Sequence, residues 1–185
     1  LGIISPVGNT VEGAWATILA GKSGIGPITA FDASDFPVRF SGGVKDFDPA
    51  HYIPPKEVKK MDHFIHYGIA AGVQAIKDSG LEINDANRER IGIIIGSGIG
   101  GLPGIEDGYA SYLKGGARRI TPFFVPRSII NMISGHLSIM YGIQGPNLAV
   151  VTACTTATHA IGQAQRMIAY GDADVVVAGG AEMAT

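Results

Sequence analysis

The one cysteine of the chain, Cys154, is the residue whose type and position could do covalent chemistry. It follows LAVVTA (148–153), an apolar run that predicts a buried strand, and it opens a segment with helical periodicity. The N-terminus of a helix favours an anion and presents unpaired backbone N–H groups. A thiol placed there is favoured as the thiolate, and the N–H groups can stabilise an oxyanion. A lone cysteine is more often a small buried hydrophobe, but this position indicates acyl transfer.

Histidine is a common base for such a nucleophile, and the chain contains five. His159 lies five positions after Cys154, so on a helix it is about 140° around the axis and faces away. His136 falls inside an apolar helix and is interpreted as a core residue. Three others have no recognisable spacing to a partner: His51, His63 and His66. No cluster has metal-ligand spacing, so we expect no metal and no cofactor, and no base is identified within this chain.

The glycine loop GSGIGG (96–101) follows an apolar strand and matches G-x-G-x-x-G at Gly96, Gly98 and Gly101. A dinucleotide site also needs an acidic residue about 20 positions later, to hold the ribose hydroxyls. No acid occurs between Asp107 and Asp172. We therefore interpret these glycines as allowing the backbone and a helix to pass close beside a pocket.

The elements that would position these residues alternate between helix and strand. Apolar spacing predicts helices over 10–20, from Asp62 to a stop at Gly80, over 125–142 with Pro126 in the first turn, and from Cys154 to Gly171. Buried strands are predicted at 91–96, 148–153 and 174–180, and a weak one at 38–44. This alternation indicates an α/β fold with a mostly parallel sheet covered on both faces.

The composition excludes several classes of protein. The chain has 185 residues, 46% hydrophobic and 16% charged, with a net charge of −2, so it is neither disordered nor a uniformly basic nucleic-acid binder. The N-terminus lacks the basic region of a signal peptide, and the apolar stretch 128–142 is too short and polar for a membrane span. One cysteine favours a reducing compartment, so we expect a cytoplasmic protein. The absence of an initial Met and the abrupt end after an apolar strand suggest truncation at both ends.

Four blocks in combination resemble a known family: GSGIGG at 96–101, PFFVPRSIINMISGHLSIMYGIQGPN at 122–147, VTACTTATHAIG at 151–162 and YGDADVVVAGGAE at 170–182. They are similar to the elongating beta-ketoacyl-[acyl carrier protein] synthases, most closely the synthase II type. The resemblance runs over the whole chain. It implies a thiolase-like fold, αβαβα layered with a mixed, mostly parallel sheet, and residues 1–185 would be nearly all of the first of its two similar halves.

The resemblance implies a decarboxylating Claisen condensation. Cys154 matches the acyl-accepting cysteine of the family, and its own backbone N–H matches one member of the oxyanion hole. Two histidines and a lysine support decarboxylation in these enzymes, and all three belong to the second half. We therefore expect the isolated chain to be inactive.

The resemblance also implies an acyl pocket. Ile99 matches the side chain that gates the pocket, and Ala153 lies beside the cysteine. Phe124 matches a residue that reaches the partner's acyl tunnel across a homodimer interface, and Val125 is adjacent to it. Apolar side chains suit an acyl chain, which gains roughly 0.8 kcal/mol per CH₂ removed from water. Core packing is the alternative role for all four residues. For Val125 the pocket role and core packing are equally favoured.

The basic residues are placed unevenly. Residues 108–171 hold five basic side chains and no acid, which indicates either a solvated face or a docking surface. Because carrier proteins of this pathway are acidic, the resemblance favours docking of acyl carrier protein through residues that match basic positions of the family: Lys56, Lys59, Lys60, Arg118 and Arg119. Their role would be steering and orientation.

Two other functions compete with the condensing enzyme. A cysteine hydrolase needs a local histidine partner and usually a G-x-C-x-G elbow, whereas Cys154 lies in Ala-Cys-Thr-Thr-Ala. The non-catalytic alternative is a chain-length partner subunit, which would shape a pocket without reacting, or a structural half-domain. Such subunits replace the cysteine, so the presence of Cys154 argues against that role.

Overall fold

A computed structural model describes residues 1–183 of the chain. A three-stranded parallel sheet lies at its centre, with the strand of residues 91–96 between the other two. The strands are β3 (Ile91–Gly96), β4 (Asn147–Leu148) and β5 (Val175–Gly180). β3 pairs with β5 along its whole length, from Ile91 opposite Val175 to Gly96 opposite Gly180. The carboxyl ends of these two strands therefore meet at one edge of the sheet.

The described part of the chain contains seven α-helices. They are α1 (Val11–Leu19), α2 (Pro55–Val58), α3 (His63–Ser79), α4 (Leu102–Gly115), α5 (Phe124–Ser128), α6 (Met132–Tyr141) and α7 (Thr156–Ala169). Two short strands, β1 (Gly26–Pro27) and β2 (Phe40–Ser41), pair antiparallel near the N-terminus. Of the weak strand predicted over 38–44, only these last two residues are in a strand.

The alternation of side chains along β3 divides the core into two layers. Ile91, Ile93 and Ile95 are buried on one face, in the cluster that includes residues of α3 and α6. Ile94 points to the other face and packs with Ala160 and Ala164 of α7. The predicted α/β fold with a parallel sheet covered on both faces is confirmed as helix, sheet and helix layers.

The buried carboxylate of Asp62 joins the starts of two helices. It is 1% exposed and accepts hydrogen bonds at 2.6 Å from the N–H groups of His63, at the start of α3, and of Gly104, in the first turn of α4. The N-termini of both helices favour a negative charge. α3 ends, as predicted, at Gly80 with φ +65°.

Three sequence predictions were wrong in detail. The helix predicted over 125–142 is two helices, because Ile129 has extended backbone angles (φ −79°, ψ 141°) between α5 and α6. The strand predicted over 148–153 is shorter and less buried, since only Leu148 of that range pairs with β3 and Val151 is 53% exposed. Helix α4 was missed, because its glycines and Pro103 obscure the periodicity.

Candidate active site

Cys154 lies in a single 3₁₀ turn, Ala153–Thr155, that directly precedes α7, and its side chain is exposed. The turn is sharp because Ala153 has φ +50°, a left-handed conformation that is unusual for a residue other than glycine. Thr156 fixes the turn, since its hydroxyl donates to the Ala153 carbonyl (2.7 Å) and accepts from the Thr152 N–H (3.0 Å). Thus the sequence prediction that Cys154 stands at a helix N-terminus is confirmed.

One backbone N–H of this turn, that of Cys154, is placed to stabilise a developing oxyanion. The N–H groups of Thr155 and Thr156 donate to the carbonyls of Thr152 and Ala153. Within residues 1–183 the N–H of Cys154 has no acceptor, so it can donate to a substrate oxygen beside its own sulfur. The dipole of the fourteen-residue helix α7 adds a positive potential at the same place.

Cys154 lines a cavity of about 420 Å³. Three segments of the chain form this cavity. They are 96–99 at the end of β3, 153–157 around the cysteine turn, and 180–182 at the end of β5. Most of the lining is apolar or glycine; the polar side chains apart from Cys154 are those of Ser97, Thr156 and Glu182. The cavity therefore offers an apolar space beside a thiol, with a carboxylate at one side.

Glycines allow these three segments to come together. A Cβ added at Gly96 would lie 2.6 Å from Cγ2 of Thr156 and closer still to the carbonyl oxygen of Val150. One added at Gly180 would lie 3.2 Å from Cβ of Ala157. The interpretation of the glycine loop as a close approach beside a pocket is confirmed by these distances.

The histidines do not line the cavity in the described part of the chain. The ring nitrogens of His159 lie 3.3 Å from Oγ1 of Thr152 and 3.4 Å from Nε2 of Gln163. Burial lowers the pKa of His136, and burial likewise lowers the pKa of His66, whose Nε2–H donates to the Val58 carbonyl (3.0 Å). These contacts agree with structural roles for the three rings.

The predicted pocket residues fall into two groups. Ile99 and Ala153 line the cavity together with Cys154, and the side chain of Ile99 is 57% exposed. Phe124 lies elsewhere, packed against α4 where a Cβ on Gly108 would be 2.5 Å from its ring. Val125 is 57% exposed and does not line this cavity either. A contribution of Phe124 and Val125 to a partner's tunnel stays a prediction.

The predicted docking residues lie on two neighbouring segments. Lys56 and Lys59 are exposed on and just after α2, and Arg118 and Arg119 are exposed on a 3₁₀ turn after α4. Lys60 is held differently: its Nζ is 2.9 Å from both carboxylate oxygens of Glu57 and 5.4 Å from the centre of the Phe123 ring.

The contacts of Lys60 have two consequences. The hydrogen bond from Lys60 lowers the pKa of Glu57, which keeps that carboxylate ionised. Phe123 lies four residues after the 3₁₀ turn Ala117–Arg119 (the arginine turn), so the ring contact places Lys60 beside the segment that follows this turn.

Two residues of the site, Ser97 and Glu182, were missed by the sequence analysis. Glu182 follows β5, and its carboxylate accepts from the N–H of Ile99 (2.8 Å) and from the hydroxyl of Ser97 (3.1 Å). An available signal was the position of each residue directly after an apolar strand, because the carboxyl ends of parallel strands meet at one edge. Residues 1–183 contain no group of three or more candidate metal ligands and no helix long and apolar enough to cross a membrane.

Solved structures with the same fold contain ketosynthases. The chain superposes on the ishigamide ketosynthase/chain length factor with a TM-score of 0.85 and 29% identity, over 99% of this chain and 46% of that one. It also superposes on one chain of the complex of a type II PKS acyl-carrier protein with its ketosynthase bound to the hexaketide. The TM-score is 0.78 and the identity 26%, over 98% of this chain and 48% of that one. Fold and site together define a thiolase-like protein of the ketosynthase class.

The particular family follows from the whole sequence. The family described as beta-ketoacyl synthase, N-terminal domain, matches residues 1–185, and the chain belongs to this family. It is 59% identical over 185 residues to 3-oxoacyl-[acyl-carrier-protein] synthase 2 of Vibrio cholerae serotype O1, covering 100% of this chain and 45% of that protein. The resemblance drawn from the sequence is confirmed. The chain spans about half the length of the curated relatives it matches.

Proposed function

We propose that the chain is the nucleophile-bearing first half of an elongating beta-ketoacyl-[acyl carrier protein] synthase of the synthase II type. The observation that carries this proposal is the exposed Cys154 thiol on a sharp turn before α7, beside an apolar cavity of about 420 Å³. A thiol, a helix N-terminus and an apolar cavity together suit transfer of a fatty acyl group.

In the first step Sγ of Cys154, as the thiolate, attacks the carbonyl carbon of an acyl thioester on acyl carrier protein. The Cys154 N–H donates to the oxyanion of the tetrahedral intermediate, and the N-terminus of α7 stabilises the same charge. The carbon–sulfur bond to the carrier then breaks. The carrier leaves as a thiolate that takes up a proton, and the acyl group stays on Cys154.

In the second step malonyl carrier protein loses CO₂, and the resulting carbanion attacks the acyl thioester on Cys154. A new carbon–carbon bond forms, Cys154 leaves as the thiolate, and a 3-oxoacyl carrier protein that is two carbons longer is released. The residues that assist decarboxylation would lie in the second half of the complete protein. We therefore expect the isolated chain to accept acyl groups poorly and to catalyse no condensation.

The acidic carrier protein would dock on the basic segments around α2 and the arginine turn. Lys56, Lys59, Arg118 and Arg119 are exposed there and would act through their charges. Lys60 is partly neutralised by Glu57, so its contribution to steering should be smaller. In a homodimer Phe124 would face the partner's acyl tunnel. We place the reaction in the cytoplasm, where an acyl-accepting thiol stays reduced.

The non-catalytic alternative, a chain-length partner subunit, has one supporting observation, since a structure of similar fold is that of a ketosynthase/chain length factor. Cys154 separates the two functions. A partner subunit would have no use for an exposed thiol beside the cavity, whereas a synthase cannot react without it.

The test is acyl transfer to the complete protein. After incubation with a C14 acyl carrier thioester, intact-mass measurement and peptide mapping should find one acyl group per chain on Cys154, and malonyl carrier protein should then release a C16 3-oxoacyl product. The Cys154→Ala variant should lose the adduct, while Thr158→Ala, an exposed position one turn later, should keep it. A wild-type protein without an adduct would refute the proposal. Release of free fatty acid without condensation would indicate a hydrolase instead.

A further inference from the structure

Glu182 holds the glycine loop across the end of the sheet. The ladder between β3 and β5 continues one residue beyond Gly180, because the N–H of Ala181 donates to the Gly96 carbonyl at 3.1 Å. Glu182 comes next, and its two carboxylate oxygens reach back to the loop after β3. One accepts from the backbone N–H of Ile99 (2.8 Å) and the other from the hydroxyl of Ser97 (3.1 Å).

Ser97 extends this hold by one residue. Its hydroxyl, in a residue that is 1% exposed, also accepts from the N–H of Gly100 (3.1 Å). Gly100 has φ +88°, so the loop turns too sharply for its N–H groups to join the sheet. Glu182 and Ser97 therefore hold two successive N–H groups of the loop, those of Ile99 and Gly100.

The lining of the cavity explains why this hold matters. Among the described residues that line it, Ile99 has the largest apolar side chain, and the others near the thiol are small. The space available to a chain attached to Cys154 therefore depends on where Ile99 stands. The Ile99 N–H is the atom that Glu182 holds, so the carboxylate fixes the backbone from which that side chain projects.

The composition of the loop agrees with this arrangement. A Cβ on Gly98 would lie 2.9 Å from the Glu182 oxygen that accepts from Ile99. A side chain at this position would crowd that oxygen, so the Glu182 carboxylate would have to shift from the Ile99 N–H. A carboxylate has no attraction for an acyl chain, so its place in an apolar lining is explained by the loop that it holds.

We propose that Glu182 is a positioning residue that fixes Ile99 and thereby sets the length of acyl chain that the cavity accepts. This inference rests on the proposed function of Cys154 as the acyl acceptor. With Ile99 held, a long chain must displace the loop against two hydrogen bonds to Glu182. Without the carboxylate that displacement costs less, so long chains gain relative to short ones.

The experiment measures acylation of Cys154 in the complete protein with C6 and C14 acyl carrier thioesters, by intact mass against time. Relative to wild type, Glu182→Ala should raise the C14-to-C6 ratio of acylation rates by about tenfold or more, because tenfold corresponds to one lost charge-assisted hydrogen bond and the variant removes two. Glu182→Gln, which keeps an acceptor oxygen, should raise it less. Ser97→Ala should change the ratio in the same direction, since it removes the acceptor of the Gly100 N–H.

A double-variant cycle separates positioning from a general structural effect. If Glu182 acts through Ile99, the variant Ile99→Ala should have a raised ratio, and adding Glu182→Ala to it should change that ratio less than twofold. Equal ratios in wild type, Glu182→Ala and Glu182→Gln would overturn the inference. Full additivity in the cycle would also overturn it. If Glu182→Ala does not fold, the Glu182→Gln and Ser97→Ala ratios decide.

The two proposals fail in different ways. If the wild-type protein forms no adduct on Cys154, the proposed function is wrong. If the adduct forms but its chain-length ratio is insensitive to Glu182, only the present inference is wrong.

Discussion

Substitution of Gly96 by alanine tests whether close packing at the end of β3 positions Cys154. The added Cβ would lie 2.6 Å from Cγ2 of Thr156 and closer to the Val150 carbonyl oxygen, whereas ordinary contacts begin at 3.4 Å. The cysteine segment must therefore move by at least about 0.8 Å, by difference of these distances. Thr156 fixes the turn that carries Cys154, so the thiol moves with it.

The expected effects are on stability and on rate. Overpacking of this kind costs about 1 to 3 kcal/mol of the free energy of unfolding. A displacement near 1 Å of a reacting group can lower a rate about a hundredfold. We expect Gly96→Ala to lose between tenfold and a hundredfold in acylation of Cys154.

The assay combines urea unfolding with acylation of the complete protein by a C14 carrier thioester. Gly135→Ala is the matched control, because Gly135 lies inside α6 and a Cβ there meets no atom within 4 Å. Alanine in a helix should make that variant more stable by up to about 1 kcal/mol and leave its rate unchanged. A Gly96→Ala protein with wild-type stability and a rate within threefold of wild type would refute the close-packing account.

Two further predictions concern stability. Asp62→Ala should lower the free energy of unfolding by about 3 kcal/mol or more, because the N–H groups of His63 and Gly104 lose a buried charged acceptor. Asp62→Asn should lower this free energy less. Equal urea midpoints for Asp62→Ala and wild type would contradict this account. Burial lowers the pKa of His66 below its ordinary 6.5. The stabilising contribution of this residue is therefore complete above about pH 6.5 and is lost as the pH falls through the folded-state pKa. The free energy of unfolding changes by at most about 1.4 kcal/mol per pH unit, and by less where water screens the ring. Urea unfolding between pH 7.5 and 5 should therefore show a flatter profile for His66→Gln, and parallel profiles would show that this histidine does not titrate differently on folding.

The placement of Cys154 was predictable because it depends on local sequence. An apolar strand, a cysteine and a helical segment follow one another in the chain, so the position of Cys154 at a helix N-terminus needed no information from elsewhere. The same holds for α3, whose cap at Asp62 and stop at Gly80 are local signals. Strand β3 was predictable because its run of isoleucines is buried on both faces.

Other features depend on contacts between distant segments. Ile129 breaks the predicted long helix at a point where its own residue type gives no signal. The segment 149–152 departs from the strand pattern, and the Val150 carbonyl approaches Gly96 of β3 too closely to leave room for a Cβ there. The approach of Val150 to Gly96 cannot be found from periodicity, because the two residues are 54 positions apart.

The sequence by itself determined the position of Cys154 before a helix, the parallel α/β architecture and the family, since each is encoded in short runs of adjacent residues. Tertiary structure alone decided what surrounds Cys154. Ile99 and Glu182 are 83 positions apart, and only the parallel pairing of β3 with β5 brings them to one cavity. Pairing of distant strands is set by burial of the whole sheet, and the carboxylate that holds the loop is therefore visible only in the folded chain.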